Sequence, residues 1–434
     1  VFRPTGFADL AGKRVGIFGY GLEGRTAHAR IAALASEIVL VDDQPVAPDV
    51  LLTNEGGLDA LLRCDVVLKS PGIPRRRPDV LNLDLHGVYV TSALNLWLQE
   101  TDVARVVGIT GTKGKSTTTA LVTFFLHCLG ETAHRLGNIG QPPYDPQLDL
   151  SSGWMVLEVS SFQCTDLELA PGVVVVTSLG ADHIDWHGSV EQYHDDKLSL
   201  TRHTTAHTTL VPAVPTFEAL ADQLGGDLQF AAATDYGLAS QLGLLGGHSV
   251  SNVALALRAV SALTGTAVET IVQAVSTQAS SFVPLRGRLS LARTVDLGPR
   301  VLRFVDDGLA TSALPTSAAL EVFAESDVAL IVGGFDRGVD YEALVEALNA
   351  RQRATYVLAM GPAGQRIASL LTPSDTLHVE VVDDLQSAVL KSAAALTEGG
   401  VVLFSPAAPS FDAYKNWEER SEHFVTLVDQ LSFD

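Results

Sequence analysis

Backbone N–H groups, an ammonium and a hydroxyl gathered at one point can hold a phosphate, and the stretch GITGTKGKSTTTAL, residues 108–121, supplies all three. It follows Val106 and Val107 as a turn follows a strand. The usual phosphate loop reads G-x-x-x-x-G-K-[ST]. Here position 109 is isoleucine and the glycines are Gly108, Gly111 and Gly114, so the loop is shortened to G-x-x-G-K-S. The chemistry survives the shortening. Gly111, Thr112, Lys113, Gly114, Lys115, Ser116 and Thr117 are candidate nucleotide-binding residues, with Lys115 neutralising the β and γ phosphates and Ser116 offering its hydroxyl to Mg²⁺. Lys113, read by itself, is a solvated lysine.

Two carboxylate and imidazole signals follow in the same region. Glu158 ends the apolar run Trp154-Met155-Val156-Leu157, where a strand beside a phosphate loop would place a Mg²⁺ ligand. His183, in DHIDWH after the run Val173 to Val176, reads equally as a capping group or a metal ligand by itself, and as a ligand once Glu158 and the loop are counted with it. Lys197 lies four residues after Tyr193 on one helix face. Read locally, it is a solvated surface lysine.

Earlier in the chain, Gly19-Tyr20-Gly21-Leu22-Glu23-Gly24 is a GxGxxG at a strand-to-helix junction, and Asp42 and Asp43 end the next strand about 20 residues on, where a dinucleotide fold places a ribose carboxylate. Alone, this favours a dehydrogenase. Lys69, Ser70, Pro71 and Gly72 end a later strand of the same region and would line the same crevice, since open α/β sheets bind ligands beyond the carboxyl ends of their strands.

The elements that must carry these residues are short apolar runs alternating with helical stretches: RVGIFGYG, IVLVD, DVVLKSPG and VYVTS; RVVGITG, GWMVLEVSS and GVVVVTSLG; RFVDD, VALIVGG, TYVLAM and VVLFSPA. This alternation predicts an α/β fold of βαβ units with mainly parallel sheets. Boundaries are expected near 104 and 284, giving domains 1–103, 104–283 and 284–434. The first and third are expected to be Rossmann-like, and the stretch HSVSNVALALRAVSALT, 248–264, is expected as the helix closing the middle domain. With 434 residues, 47% of them hydrophobic, the chain can fill several cores. Fifty acidic residues against 29 basic, a formal charge of −21, argue against nucleic-acid and anionic-membrane partners. The three cysteines, Cys64, Cys128 and Cys164, form no CxxC and suit a reducing compartment. No run approaches a membrane span and the start VFRPTGFADL has no signal-peptide pattern, so a cytoplasmic location is expected.

Nine segments, in order, resemble the Mur ligases: TGTKGKST, GNIGQP, LEVSSFQ, DHIDWHGSVEQYHDDK, GGHSVSNVALAL, GRL, VDDGLATS, VGGFDRG and SPAAPSFDAYKNWEER. The short phosphate loop is that family's own form. The resemblance is nearest to the branch joining glutamate to UDP-N-acetylmuramoyl-L-alanine in peptidoglycan synthesis, by way of an acyl phosphate made from ATP. It implies that the first-domain GxGxxG, with Leu22, Glu23 and Asp42, serves a UDP substrate and no nicotinamide cofactor. It further implies that Glu158 and His183 hold Mg²⁺, that Lys197 is carbamylated and becomes a metal ligand, and that Asn138, Ser160 and Gln163 lie near substrate. Asn252 would contact adenine, Arg288 the ATP phosphates and Asp307 the ribose. Thr311, Arg337, Ser410, Phe411 and Trp417 would surround the incoming amino acid. His248 matches the family, but Ser249 stands where Asn is usual.

One segment departs. Enzymes of this branch that add D-glutamate read N-D-S-K-A-T-N where this chain has Asp306-Asp307-Gly308-Leu309-Ala310-Thr311-Ser312, so the expected Ser is Gly308 and the expected Lys is Leu309. Loss of an ammonium changes how a carboxylate is neutralised. Together with VGIFGYGLEGR, GTKGKSTTT and Pro315, this points to the class that adds L-glutamate, whose product a separate epimerase converts. A monomer is expected. The alternatives are D-glutamate as substrate, a folylpolyglutamate-type ligase, which the leading GxGxxG domain disfavours, and a silent nucleotide-binding regulator, which Glu158, His183 and Lys197 disfavour.

Overall fold

The computed structural model describes residues 2–203 and 206–433. Their strands form three sheets. The first has β1 (Arg14–Phe18), β2 (Glu37–Asp42), β3 (Leu51–Leu52), β4 (Val66–Lys69) and β5 (Tyr89–Thr91) in the order β3-β2-β1-β4-β5, all parallel. The second has β6 (Val106–Thr110), β7 (Ala133–Gly137), β8 (Trp154–Glu158), β9 (Val173–Val176), β10 (Thr208–Pro212) and β11 (Asp227–Ala231) in the order β11-β10-β9-β6-β8-β7, again all parallel. The third has β12 (Ser290–Asp296), β13 (Val301–Asp306), β14 (Val328–Gly333), β15 (Thr355–Met360), β16 (Leu377–Val381) and β17 (Gly400–Phe404) in the order β12-β13-β17-β14-β15-β16, with only β12 antiparallel.

Parallel strands need crossovers, and the helices that make them cover both faces, so the interior strands are continuous apolar runs. Val173 to Val176 are all buried, as are all six residues of β14. In the third sheet, Val305, Leu330, Val332 and Leu403 face one core while Phe304, Ile331, Val402 and Phe404 face the other, the two-residue alternation of a pleated strand. The strand order also fixes where ligands can sit. In the first sheet the strand order reverses between β1 and β4, and in the second the chain moves to opposite sides of β6. These are the switch points at which open α/β sheets leave a crevice.

The chain separates into two compact units, 1–238 with 250–279 and 239–249 with 280–434. The first carries two sheets and the second carries one. Six strands fall outside the apolar runs of the sequence: β3, β7, β10, β11, β12 and β16. Five of these are sheet edges, where half of the strand meets solvent and polar residues are tolerated. Among the described residues no single helix is long and apolar enough to cross a membrane, and the three cysteines are free.

Candidate active site

The phosphate loop lies between β6 and the helix Lys115–Cys128. Gly114 takes φ +87, a left-handed turn that lets the next residues start the helix with their N–H groups pointing outward, and a Cβ there would stand 2.6 Å from Asn252 Oδ1. Asn252, on the helix Gly247–Thr264, is therefore seated against the loop. The strand end after β9 braces it from the other side. Thr177 Oγ1 donates to Lys113 O at 2.5 Å, Lys113 N donates to Ser178 Oγ at 2.8 Å, and Thr112 N donates to Ser178 O at 2.9 Å. Thr112 Oγ1 accepts the N–H of Gly180 at 3.0 Å and pairs with Tyr193 OH at 2.9 Å. The Lys113 residue itself is exposed.

Lys115 Nζ donates to the carbonyls of Gly111 (2.8 Å) and Thr112 (3.2 Å). Lys197 Nζ donates to the same Gly111 oxygen at 3.0 Å and lies 4.9 Å from the centre of the Tyr193 ring. The local expectation of a solvated Lys197 is wrong: it is 1% exposed. The spacing that placed it on Tyr193's face of the helix Val190–Leu198 is also the spacing that turns it inward. Burial, and then the neighbouring Lys115 charge, pull its pKa down to about 7.

Glu158 is buried at the end of β8; its Oε1 accepts Asn138 Nδ2 at 2.8 Å, and Asn138 N donates to the Glu158 carbonyl at 3.0 Å. Glu158 Oε2 and Ser116 Oγ are both buried without a hydrogen-bond partner. Buried oxygens in that condition carry a desolvation cost that a ligand can repay. His183 stands apart in exposure: its side chain is 53% exposed, its backbone is left-handed at φ 51, and its ring packs 4.9 Å from Phe162. No group of three or more His, Cys, Asp or Glu arranged to hold a metal occurs among the described residues.

At the end of the first sheet, Tyr20 N donates to Asp42 Oδ2 at 2.6 Å and Gln44 N to Asp42 Oδ1 at 2.9 Å, so Asp42 shapes the glycine turn through backbone. Ser70 Oγ donates to Gly19 O at 2.6 Å, and Trp186 Nε1 to Gly72 O at 3.2 Å. Leu22 is exposed, and Gly21 and Pro71 lie beside these groups in the chain. Glu23 turns inward instead. It accepts Tyr144 OH at 2.9 Å and Gln163 Nε2 at 2.7 Å, and burial pushes its carboxyl up. Gln163 and Ser160 also form a capping box on the helix Ser161–Cys164.

Two charge pairings of this unit were not expected from the sequence, although Lys69 itself was expected to line the crevice. Lys69 and Asp166 form a fully buried ion pair at 2.6 Å. Asp196 accepts Arg76 through both carboxylate oxygens at 2.7 and 2.9 Å and pairs with His187 Nδ1 at 2.7 Å. Burial opposes it, but the bonds from Arg76 and His187 hold Asp196 below the usual carboxylate range. Both connect residues about a hundred positions apart, which local sequence cannot pair.

In the second unit Asp307, Thr311, Arg337, Ser410 and Phe411 follow the carboxyl ends of β13, β14 and β17, while Arg288 precedes β12. Asp307 accepts Ser405 Oγ at 2.7 Å and Leu289 N at 3.2 Å; burial pushes its carboxyl up to about 7, while the nearby Arg288 charge opposes the rise. Ser410 is buried, Thr311 is half-buried in the loop after β13, and Phe411 is exposed with the Arg337 guanidinium 5.8 Å from its ring centre. Trp417 begins the helix Trp417–Gln430, with its ring against Gly287. The buried Arg420 of that helix was not singled out from sequence, since arginine in an acidic helical segment reads as surface.

Residues 109–215 match the family model described as Mur ligase middle domain. Over nearly its whole length the chain is similar to proteins named UDP-N-acetylmuramoyl-L-alanine--L-glutamate ligase: 37% identical to that of Micromonospora sp. (97% of each chain), 35% to that of Salinispora tropica (97% of this chain, 98% of the relative) and 33% to that of Xanthomonas euvesicatoria (97% and 96%). Among solved structures, MurF from Acinetobacter baumannii matches with a TM-score of 0.56 at 15% identity (95% of this chain, 93% of that one). The MurF ligase from Thermotoga maritima in complex with ADP matches at 0.54 and 16% (98% and 97%). At such identities the structural likeness bears on the fold alone.

Proposed function

Since the chain belongs to the Mur ligase family, we propose that it is an ATP-dependent ligase that joins L-glutamate to UDP-N-acetylmuramoyl-L-alanine in peptidoglycan synthesis. The relatives named above are L-glutamate ligases, in agreement with the reading of Gly308 and Leu309. The observation that carries the mechanism is the pairing of two ammonium groups on one loop carbonyl, Gly111 O, with two unpartnered buried oxygens, Ser116 Oγ and Glu158 Oε2.

A carboxylate is a poor electrophile. Transfer of the γ-phosphoryl group of ATP to the terminal carboxylate of the UDP substrate makes an acyl phosphate and ADP; the glutamate amine, having lost its ammonium proton, then attacks the carbonyl carbon, and the tetrahedral intermediate expels inorganic phosphate. In this reading the loop N–H groups and Lys115 hold the phosphates in line and stabilise the transferring charge. Lys115 gives up its Gly111 and Thr112 carbonyl partners to do so.

Mg²⁺ is part of the proposal. Ser116 Oγ and Glu158 Oε2 are hard oxygen donors whose hydrogen-bonding capacity is unspent, which fits that ion. His183 and a carbamylated Lys197 would complete the set. A pKa near 7 leaves Lys197 partly as the neutral amine, which adds CO₂ and releases a proton to become an anionic carbamate. Mg²⁺ when bound supplies electrostatic stabilisation to the transferring phosphoryl group. Asn138, by its bond to Glu158, would keep that carboxylate aimed.

For the substrates, we assign the glycine turn at 19–24 with Asp42 and Ser70 to the UDP end, Asn252 to adenine, Arg288 and Asp307 to the ATP phosphates and ribose, and Thr311, Arg337, Ser410, Phe411 and Trp417 to glutamate. A cytoplasmic site of action, a monomeric state and an epimerase acting on the product belong to the same proposal. The deciding measurement is phosphate release from ATP with UDP-N-acetylmuramoyl-L-alanine and each glutamate enantiomer. Faster release with L-glutamate is expected; faster release with D-glutamate overturns the choice of substrate.

A further inference from the structure

Arg420 and Ser421 are adjacent and buried on the helix Trp417–Gln430. The Arg420 guanidinium donates to Ala408 O (2.8 Å), Gly333 O (3.2 Å) and Pro409 O (3.2 Å), and reaches Gly308 O at 3.4 Å. Ala408 and Pro409 follow β17, Gly308 follows β13 and Gly333 closes β14, three neighbouring strands. Thr311, Arg337, Ser410 and Phe411 follow on the same loops. One side chain therefore sets the mutual spacing of every loop assigned to the amino acid.

Ser421 Oγ donates to Asp306 Oδ1 at 3.0 Å, the oxygen that also accepts the Gly308 N–H at 2.9 Å. A Cβ at 308 would overlap Ser421 Oγ and would stand 3.0 Å from Asp306 Oδ1 and 3.1 Å from the Phe404 ring. Two of those three neighbours are each held by a further contact. Asp306 is fixed by Gly287 N on its second oxygen, at 2.9 Å, and Phe404 is stacked on Phe424. A side chain at 308 and the hydroxyl at 421 thus exclude one another, and 308 is a position at which this chain departs from the D-glutamate pattern.

We propose that Gly308 and Ser421 are a coupled specificity pair: the hydroxyl that the D-glutamate pattern carries on the loop at 308 is supplied here from the helix at 421, which draws the 308–311 loop against Asp306 and resets the amino-acid pocket. Both are positioning residues, and Arg420 holds them in register. The inference rests on the reading of the chain as a glutamate ligase. Failure of that reading is recognisable separately, because the wild-type protein would then release no phosphate in response to glutamate.

The test is steady-state kinetics of the full chain and of Gly308→Ser, Ser421→Gly and the double variant, with glutamate, ATP and the UDP substrate varied in turn. Gly308→Ser is expected to raise KM for L-glutamate at least about tenfold while KM for ATP stays within about twofold, since a misplaced methylene-sized group discriminates on that scale. The double variant is expected to recover most of that loss and to lower the preference for L- over D-glutamate. A double variant no better than Gly308→Ser overturns the coupling, as does a rise in KM shared equally by ATP. Should Gly308→Ser fail to fold, a soluble double variant with a changed L-to-D ratio upholds the pair. An insoluble double variant, with Ser421→Gly unchanged in glutamate KM and in that ratio, overturns it.

Discussion

Lys197 in the first unit and Arg420 in the second are both buried cations whose hydrogen bonds go to backbone carbonyls, yet their surroundings prepare them for different tasks. Lys197 has one carbonyl partner, a tyrosine ring and a second lysine nearby, and its pKa falls to about 7. Burial also lowers Arg420, but only to about 10, and its planar fork spans four carbonyls. The first arrangement leaves an amine that can shed its proton at neutral pH. The second keeps a cation and uses it as a brace. Burial alone thus does not mark a reactive group; what matters is whether the group can be neutral and still be satisfied.

Exchanging the two kinds of cation attacks this contrast directly. Lys197→Arg should lower glutamate-dependent phosphate release about a thousandfold, because a guanidinium neither deprotonates nor becomes a carbamate. Lys115→Ala should do at least as much, the phosphate having lost its cation, while urea unfolding of the half-exposed site changes little. Near-wild-type release from either variant would break the mechanism. The reverse exchange, Arg420→Lys, should instead lower stability by about 2–3 kcal/mol, since an ammonium cannot span the loops and leaves buried carbonyls unpaired. It should also raise KM for glutamate more than KM for ATP. A neutral result in urea would show that the brace is not needed.

The same contrast explains what could be read from the sequence. The phosphate loop, Glu158 and the glycine turn at 19–24 announce themselves because their chemistry comes from consecutive residues at strand ends. Interior strands announce themselves too, as unbroken apolar runs such as Val173 to Val176. The edge strands β7, β11 and β16 do not, being half polar, and β10 opens on two threonines beside an edge. Lys197 and Arg420 were hidden from local reading for another reason, and only the family resemblance singled out Lys197. A charged residue in a polar helix reads as solvated, and only tertiary contacts with Gly111 or with the 308, 333 and 408 loops show otherwise. Glu23 likewise meets Tyr144 and Gln163 from far along the chain, a contact that spacing cannot supply.

The smallest expected effect sharpens the contrast through pH. Lys197 has a folded pKa below its ordinary value, so between about 7 and 10.5 the unfolded chain binds the extra proton and stability rises with pH; that contribution is lost as pH falls through about 7. Asp307, in the other unit, has the opposite sign. Its folded pKa is raised from 3.8 to about 7, so the folded state holds the proton longer, and the stability it contributes is full below 3.8 and lost as pH rises through about 7. Asp307→Asn removes this titration while keeping an acceptor for Ser405 and Leu289. The stability difference between wild type and this variant should therefore move against the wild type by about 1 kcal/mol per pH unit between pH 5 and 7. Urea midpoints at three pH values in that window would measure it. A flat difference would mean that Asp307 is already ionised when folded, and that Arg288 counts for more at this site than burial does.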